Sequence, residues 1–197
     1  MVTIRSRGRL PHWEADGATY FVTFRLFDSL PKRAVRRIKF ERDDIIRTAA
    51  AAQRKLSETE LRRVQALFAR KLQQVLDSGA GACFLAIQSV AAIMADTIRK
   101  FHGVRYACSA WCVMPNHVHV VLRPLANHRL AEIVHSWKSF TASAANRILR
   151  RSGRFWQREY FDHLLRDERQ FRRAVQYVLD NPKKAALHNW PWVGTNP

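Results

Sequence analysis

The residues of this chain whose types and spacing can do chemistry are two histidines and a tyrosine with an asparagine one helical turn beyond it. His117 and His119 lie two apart in a stretch, residues 117–122, whose alternation reads as a strand. Both imidazoles then leave one face of a sheet, and Val118, Val120 and Leu122 leave the other for a core. Two imidazoles on one face can hold a single metal ion, although a His-x-His pair on a strand is more often solvated or simply hydrogen-bonded. Tyr177 and Asn181 are four apart in the last helical stretch, on one side of it, at the flank of the stripe Phe171, Ala174, Val175 and Val178. In isolation a tyrosine at a stripe edge packs with its hydroxyl in water, and an asparagine before proline marks a helix stop. The chemical reading requires the helix to lie across the histidine face. Asn181 then offers a carbonyl oxygen to the metal, and Tyr177 reaches the same phosphate.

The elements that must position these residues follow from periodicity. Residues 19–26 alternate as a first strand. From about Lys32 to Ala52 the chain is Arg-rich with helical spacing, and Ser57 with Glu60 forms a capping box ahead of Leu61, Val64, Leu67, Phe68, Leu72 and Val75. A helical pair is therefore expected over about 32–76, broken by Gly79 and Gly81. Phe84, Ile87, Val90, Ala91, Met94 and Ile98 make another amphipathic stripe that ends at Gly103. Residues 104–113 and 117–122 read as a hairpin around Met114-Pro115-Asn116. Leu130, Ile133, Val134, Trp137, Phe140, Ala144, Ala145 and Ile148 describe a long helix. After Gly153 and a short run over 155–165, Asp167 and Gln170 resemble the cap of a last helix, which Pro182 is expected to terminate. No internal repeat or linker is present, so one α+β domain over 1–197, with helices over an antiparallel sheet, is the economical architecture.

Charge names the partner class. The 34 Lys and Arg against 16 Asp and Glu leave +18, an excess that a polyanion relieves while releasing the counterions condensed on it. Nucleic acid is the expected partner; composition alone does not separate DNA from RNA, or an enzyme from a packaging protein. Arg147, Arg150, Arg151, Arg154 and Arg158 offer phosphate contacts beside Phe155 and Trp156, and Lys138 can point outward from the long helix. Trp156 reads equally as a ring that stacks on unpaired bases and as core. The odd set Cys83, Cys108 and Cys112 lies in apolar surroundings without metal or redox spacing, and no apolar run has signal-peptide or membrane length. A reduced, cytoplasmic protein with no membrane span is expected.

Several ordered motifs make the reading specific. Residues 115–121 (PNHVHVV), Phe155-Trp156-Gln157, Asp162-His163, Arg166, and Tyr177 with Asn181-Pro182 resemble the REP-associated tyrosine transposases. Those are relatives of the IS200-type transposases in the HUH endonuclease superfamily. The resemblance runs from near Tyr20 to Leu187, and the segment from about Lys32 to Leu76 is its least diagnostic part. It implies a ferredoxin-like antiparallel sheet flanked by helices, here with an extra N-terminal helical insertion. It further implies His117, His119 and Asn181 as metal ligands and Tyr177 as a nucleophile that forms a 5′-phosphotyrosine on single-stranded or hairpin DNA. Tyr160 lacks a following Asn-Pro and is the main decoy; Tyr106 is a poorer candidate. Magnesium or manganese suits the mixed donor set. A non-catalytic nucleic-acid binder is the alternative, and a relaxase or replication initiator fits the motif order less well. Monomer and homodimer both remain open.

Overall fold

The computed structural model describes residues 2–6, 11–15, 17–31, 33, 36, 40, 44, 47–49, 51, 57, 59, 60, 70, 71 and 73–196. They fall into two compact units, Met1–Phe27 with Cys83–Pro197, and Asp28–Ala82.

The first unit carries the histidines and the tyrosine. After a two-stranded antiparallel ribbon of β1 (Val2–Ser6) and β2 (Pro11–Ala15), it runs β3 (Thr19–Arg25), α1 (Gln88–Lys100), β4 (Tyr106–Val113), β5 (His117–Pro124), α2 (Leu130–Ile148), β6 (Phe161–Leu165), α3 (Glu168–Lys184) and β7 (Val193–Gly194). The sheet order is β6-β3-β5-β4-β7 with every neighbour antiparallel. Without β7, the chain from β3 to β6 is a β-α-β-β-α-β unit whose first strand lies between its fourth and third, the split arrangement of ferredoxin-like folds. The expected α+β class with a ferredoxin-like antiparallel sheet is thus the observed one. The ribbon and β7 have too few alternating residues to be recognised from pattern, and both were absent from the sequence-based expectation.

Each face of the sheet has its own core. Val22 and Phe24 from β3, Leu26 just beyond it, and Val118, Val120 and Leu122 from β5 pack with Met94 and Ile98 of α1 and Ile133, Val134 and Trp137 of α2. The polar atoms inside this core are satisfied in series: the Trp137 indole N–H donates to the Tyr106 hydroxyl at 3.1 Å, which donates to the Ile98 carbonyl at 2.8 Å. The opposite face, built on Ala110, Cys112, Met114 and Val121, is covered by Phe171, Val175 and Val178 of α3. A helical cover on both faces explains why β5 is buried from His117 to Leu122.

The start of α3 follows its sequence signature. The Asp167 carboxylate accepts from the Gln170 backbone N–H at 2.7 Å, and the Gln170 side-chain oxygen accepts from the Arg166 N–H at 3.3 Å. Its end departs from expectation. Pro182 does not stop the helix, which continues to Lys184. Proline withholds only its own N–H from the Val178 carbonyl, and the next turn is held by the Ala185 N–H donating to Asn181 at 3.1 Å and the Leu187 N–H donating to Pro182 at 2.9 Å. Asn181 therefore stays helical and on the same side as Tyr177.

In the second unit, the expected helical pair over about 32–76 falls mostly outside the described residues, including Leu61, Val64, Leu67, Phe68 and Leu72. Within 33–51 every described residue is helical. The capping box forms as anticipated: the Ser57 N–H donates to the Glu60 carboxylate at 2.9 Å, and the Glu60 N–H donates to the Ser57 hydroxyl at 3.2 Å. The ends of the unit meet where Ala82 N–H donates to the Asp28 carboxylate at 2.8 Å. Gly81 is needed there, since its φ is +93° and a Cβ would lie 2.9 Å from the Asp28 carbonyl oxygen.

Candidate active site

β5 delivers His117 and His119 to one face, as the period of two requires, and α3 closes over them. Both histidines are fully buried. Their Nε2 atoms lie 3.0 Å apart and their rings are nearly perpendicular, at 79°. Each Nδ1 is held from behind. The Nδ1–H of His117 donates to the Asn116 side-chain oxygen at 2.7 Å, and His119 Nδ1 bonds the Thr23 hydroxyl at 2.7 Å. A proton on Nδ1 of His117 leaves the Nε2 lone pair pointing inward, the tautomer a metal ligand requires.

Burial drives the His117 pKa down to about 3. It also takes His119 well below the ordinary histidine range, with the neighbouring His117 adding to the depression. Both rings are therefore neutral at physiological pH, with nitrogen lone pairs available to an acceptor of electrons.

Tyr177 and Asn181 reach this face from α3. The Tyr177 ring lies edge-on to His119, with centroids 5.4 Å apart, and edge-on to Phe21 at 5.6 Å; the Lys184 ammonium is 4.8 Å from the Tyr177 ring centre. One turn on, Asn181 is 1% exposed, and its side-chain oxygen is buried without a hydrogen-bond partner. An unsatisfied buried carbonyl oxygen is unfavourable unless something absent from the protein itself coordinates it.

These donors fit a divalent ion. Two imidazole nitrogens each about 2.1 Å from one ion, at right angles, lie about 3.0 Å apart, which is the separation found here. Among the described residues no third His, Cys, Asp or Glu joins the pair, and the buried, unbonded oxygen of Asn181 is the candidate third donor of a mixed nitrogen and oxygen set. Such a set leaves further positions open for phosphate oxygens and water.

The other tyrosines are placed differently. Tyr106 is buried in the opposite core, which pushes its pKa up to about 12. Tyr160 is half-buried against that same core.

The basic residues also sort by position. Arg147, Arg150, Arg154 and Arg158 are exposed and Arg151 is half-buried; among the described residues none of the five forms an ion pair. Two sequence expectations change here. Lys138 is not held out to solvent: its ammonium donates to the carbonyls of Gln157 and Arg158 at 2.7 and 2.8 Å, and burial, then the nearby Arg25, lowers its pKa to about 8. Of the two readings of Trp156, the core one holds. Its ring packs edge-on to Phe24 at 5.0 Å and its indole N–H donates to the Thr141 hydroxyl at 2.9 Å, so it is closed to an incoming base. A tryptophan next to a basic run buries its large apolar area whenever the fold offers a partner for the N–H.

Sequence reasoning missed three residues. Thr23 and Asn116 orient the two imidazoles. Arg25 lies directly opposite His117 in the β3–β5 register, on the same face; burial lowers its pKa to about 10, with Glu159 partly restoring it. The available signal was the alternation of Thr23 and Arg25 with Val22, Phe24 and Leu26, which marks a polar face on a strand otherwise built for the core.

Residues 87–181, from the start of α1 to Asn181, match the family described as IS200-like transposases. A Haemophilus influenzae protein named as a REP-associated tyrosine transposase is 26% identical over 97 residues, covering 42% of this chain and 55% of the relative. The chain thus spans about half the length of that relative. Among solved structures, that of a REP-associated tyrosine transposase bound to a REP hairpin aligns with a TM-score of 0.56 and 16% identity, over 96% of this chain and 82% of that one. At that identity the likeness attests the fold. The family match lies on the segment that carries both histidines, Tyr177 and Asn181, and the chain resembles the IS200-like transposases and their REP-associated tyrosine members.

Proposed function

We propose that this protein is a metal-dependent single-strand DNA endonuclease and strand-transferase that acts on hairpin or repeated palindromic elements through a covalent 5′-phosphotyrosine at Tyr177. The observation that carries the reading is the docking of α3 on the histidine face. It sets the Tyr177 ring 5.4 Å from His119 and buries the unbonded oxygen of Asn181 on the same side. His117 and His119 through Nε2, and Asn181 through its carbonyl oxygen, would hold magnesium or manganese. When bound, such an ion offsets the negative charge of the scissile phosphate and orients its phosphorus.

The protein's own residues do the rest. The Tyr177 oxygen attacks phosphorus, its proton passing to solvent. The new Tyr–O–P bond forms as the P–O3′ bond breaks, and the departing strand keeps a 3′-hydroxyl after taking up a proton. A 3′-hydroxyl can later attack the same phosphorus and release Tyr177, so the bond is conserved without ATP. Arg25, opposite His117, lies on the face where that phosphate must sit. Exposed arginines supply the longer-range attraction. Hairpin DNA as substrate is supported by the REP hairpin held by the structural relative.

The test is to incubate the protein with single-stranded hairpins and manganese, trap covalent complexes and map the modified peptide. The adduct must lie on residues 174–183 and be absent in EDTA and in Tyr177→Phe. Tyr160→Phe should still cut, and an adduct on residues 159–166 would refute the assignment. Hairpin binding with no adduct under any metal would favour a non-catalytic binding protein.

A further inference from the structure

Beside the histidine end of the sheet an aromatic ring stands in solvent with an arginine laid on it. Phe27 is 48% exposed although the chain around it is tightly held. The preceding Leu26 N–H donates to the Asn116 carbonyl at 2.8 Å, next to His117, and the Phe27 N–H donates to the Phe155 carbonyl at 2.9 Å. The Arg154 guanidinium lies 4.9 Å from the Phe27 ring centre. The segment that presents Arg154 is fixed as well. Asn146 donates to the Gly153 carbonyl at 3.0 Å, the Arg151 N–H donates to the Asn146 carbonyl at 2.9 Å, and the Arg151 guanidinium donates to the Arg154 carbonyl at 3.4 Å. That same guanidinium lies over Phe84 at 4.7 Å.

We infer that Phe27 and Arg154 form a stacking subsite for one unpaired base of single-stranded DNA next to the cleavage centre. The inference deepens the proposed DNA-cleaving role and rests on it. A phenyl ring has two faces, and the planar cation occupies one while half the residue stays open to water. A nucleobase is a flat π surface that stacks on phenyl and guanidinium planes alike, without regard to sequence, while the arginine charge favours the adjoining phosphate. The role once open to Trp156 falls to Phe27, because Trp156 is buried and Phe27 is not. Anchoring to the Asn116 carbonyl ties this ring to the strand end that carries His117, so a base held there belongs to a nucleotide close to the scissile phosphate.

The test uses the full chain in EDTA, so that binding is read without cleavage, and a hairpin whose single-stranded flank carries 2-aminopurine at one position at a time. One flank position should be quenched on binding to the parent protein. Phe27→Leu should abolish that quenching and weaken binding about tenfold, and Phe27→Trp should restore both. Replacing the same base by an abasic unit should weaken the parent by a similar factor and leave Phe27→Leu unaffected. Equal affinity and quenching for the parent and Phe27→Leu would overturn the subsite while leaving the cleavage reading intact. So would a Phe27→Leu loss that persists undiminished on abasic DNA. Failure of the parent to bind any hairpin would overturn both.

Discussion

Asn181 gives the sharpest separation between a metal ligand and a structural residue. Its side-chain oxygen is buried and unbonded, at 1% exposure of the residue, and leaving such an oxygen unsatisfied costs about 1–3 kcal/mol. Leucine is close to asparagine in size and has no polar atom to strand. In EDTA, Asn181→Leu should therefore equal the parent in stability or exceed it by up to about 2 kcal/mol, a rise in Tm of up to about 8 °C for a chain of this length. Manganese at about one hundred times its Kd should stabilise the parent by about 2.7 kcal/mol, or roughly 5–10 °C. With one of three protein donors gone, the variant should lose most of that gain. Paired thermal melts of both proteins, in EDTA and in manganese chloride, read all four values. A variant that melts well below the parent in EDTA would make the carboxamide structural. A variant with the parent's full manganese shift would remove Asn181 from the ligand set.

The buried histidines make stability depend on acid. Their folded pKa values lie below the unfolded value of about 6.5, so the unfolded chain binds protons more readily and stability falls as pH drops below that value. Between pH 7 and pH 5.5 the loss should be about 1 kcal/mol per histidine; a urea midpoint in EDTA that is unchanged or higher at pH 5.5 would contradict their burial as neutral rings. With a net charge of +18, affinity for single-stranded DNA should fall steeply and linearly on a log–log salt plot, with a slope of about −0.7 per neutralised phosphate. A flat plot would remove nucleic acid as the main ligand.

Local pattern was enough for much of this molecule. The alternation around His117 and His119, the stripe over Leu130–Ile148 and the Asp167 cap each express a preference set within a few residues, and each element formed where its pattern placed it. The same holds for the ordered motifs that carried the family resemblance, because motif order is a property of the chain itself. What the sequence left open were matters of contact between segments far apart in the chain. That α3 crosses the histidine face, that Asn181 stays helical through Pro182, that Thr23 and Arg25 stand opposite the histidines, and that Trp156 rather than Phe27 enters the core all depend on which surfaces meet. Periodicity fixes the face a side chain leaves from; only tertiary packing fixes what that face is pressed against, and burial, tautomer and pKa follow from the neighbour.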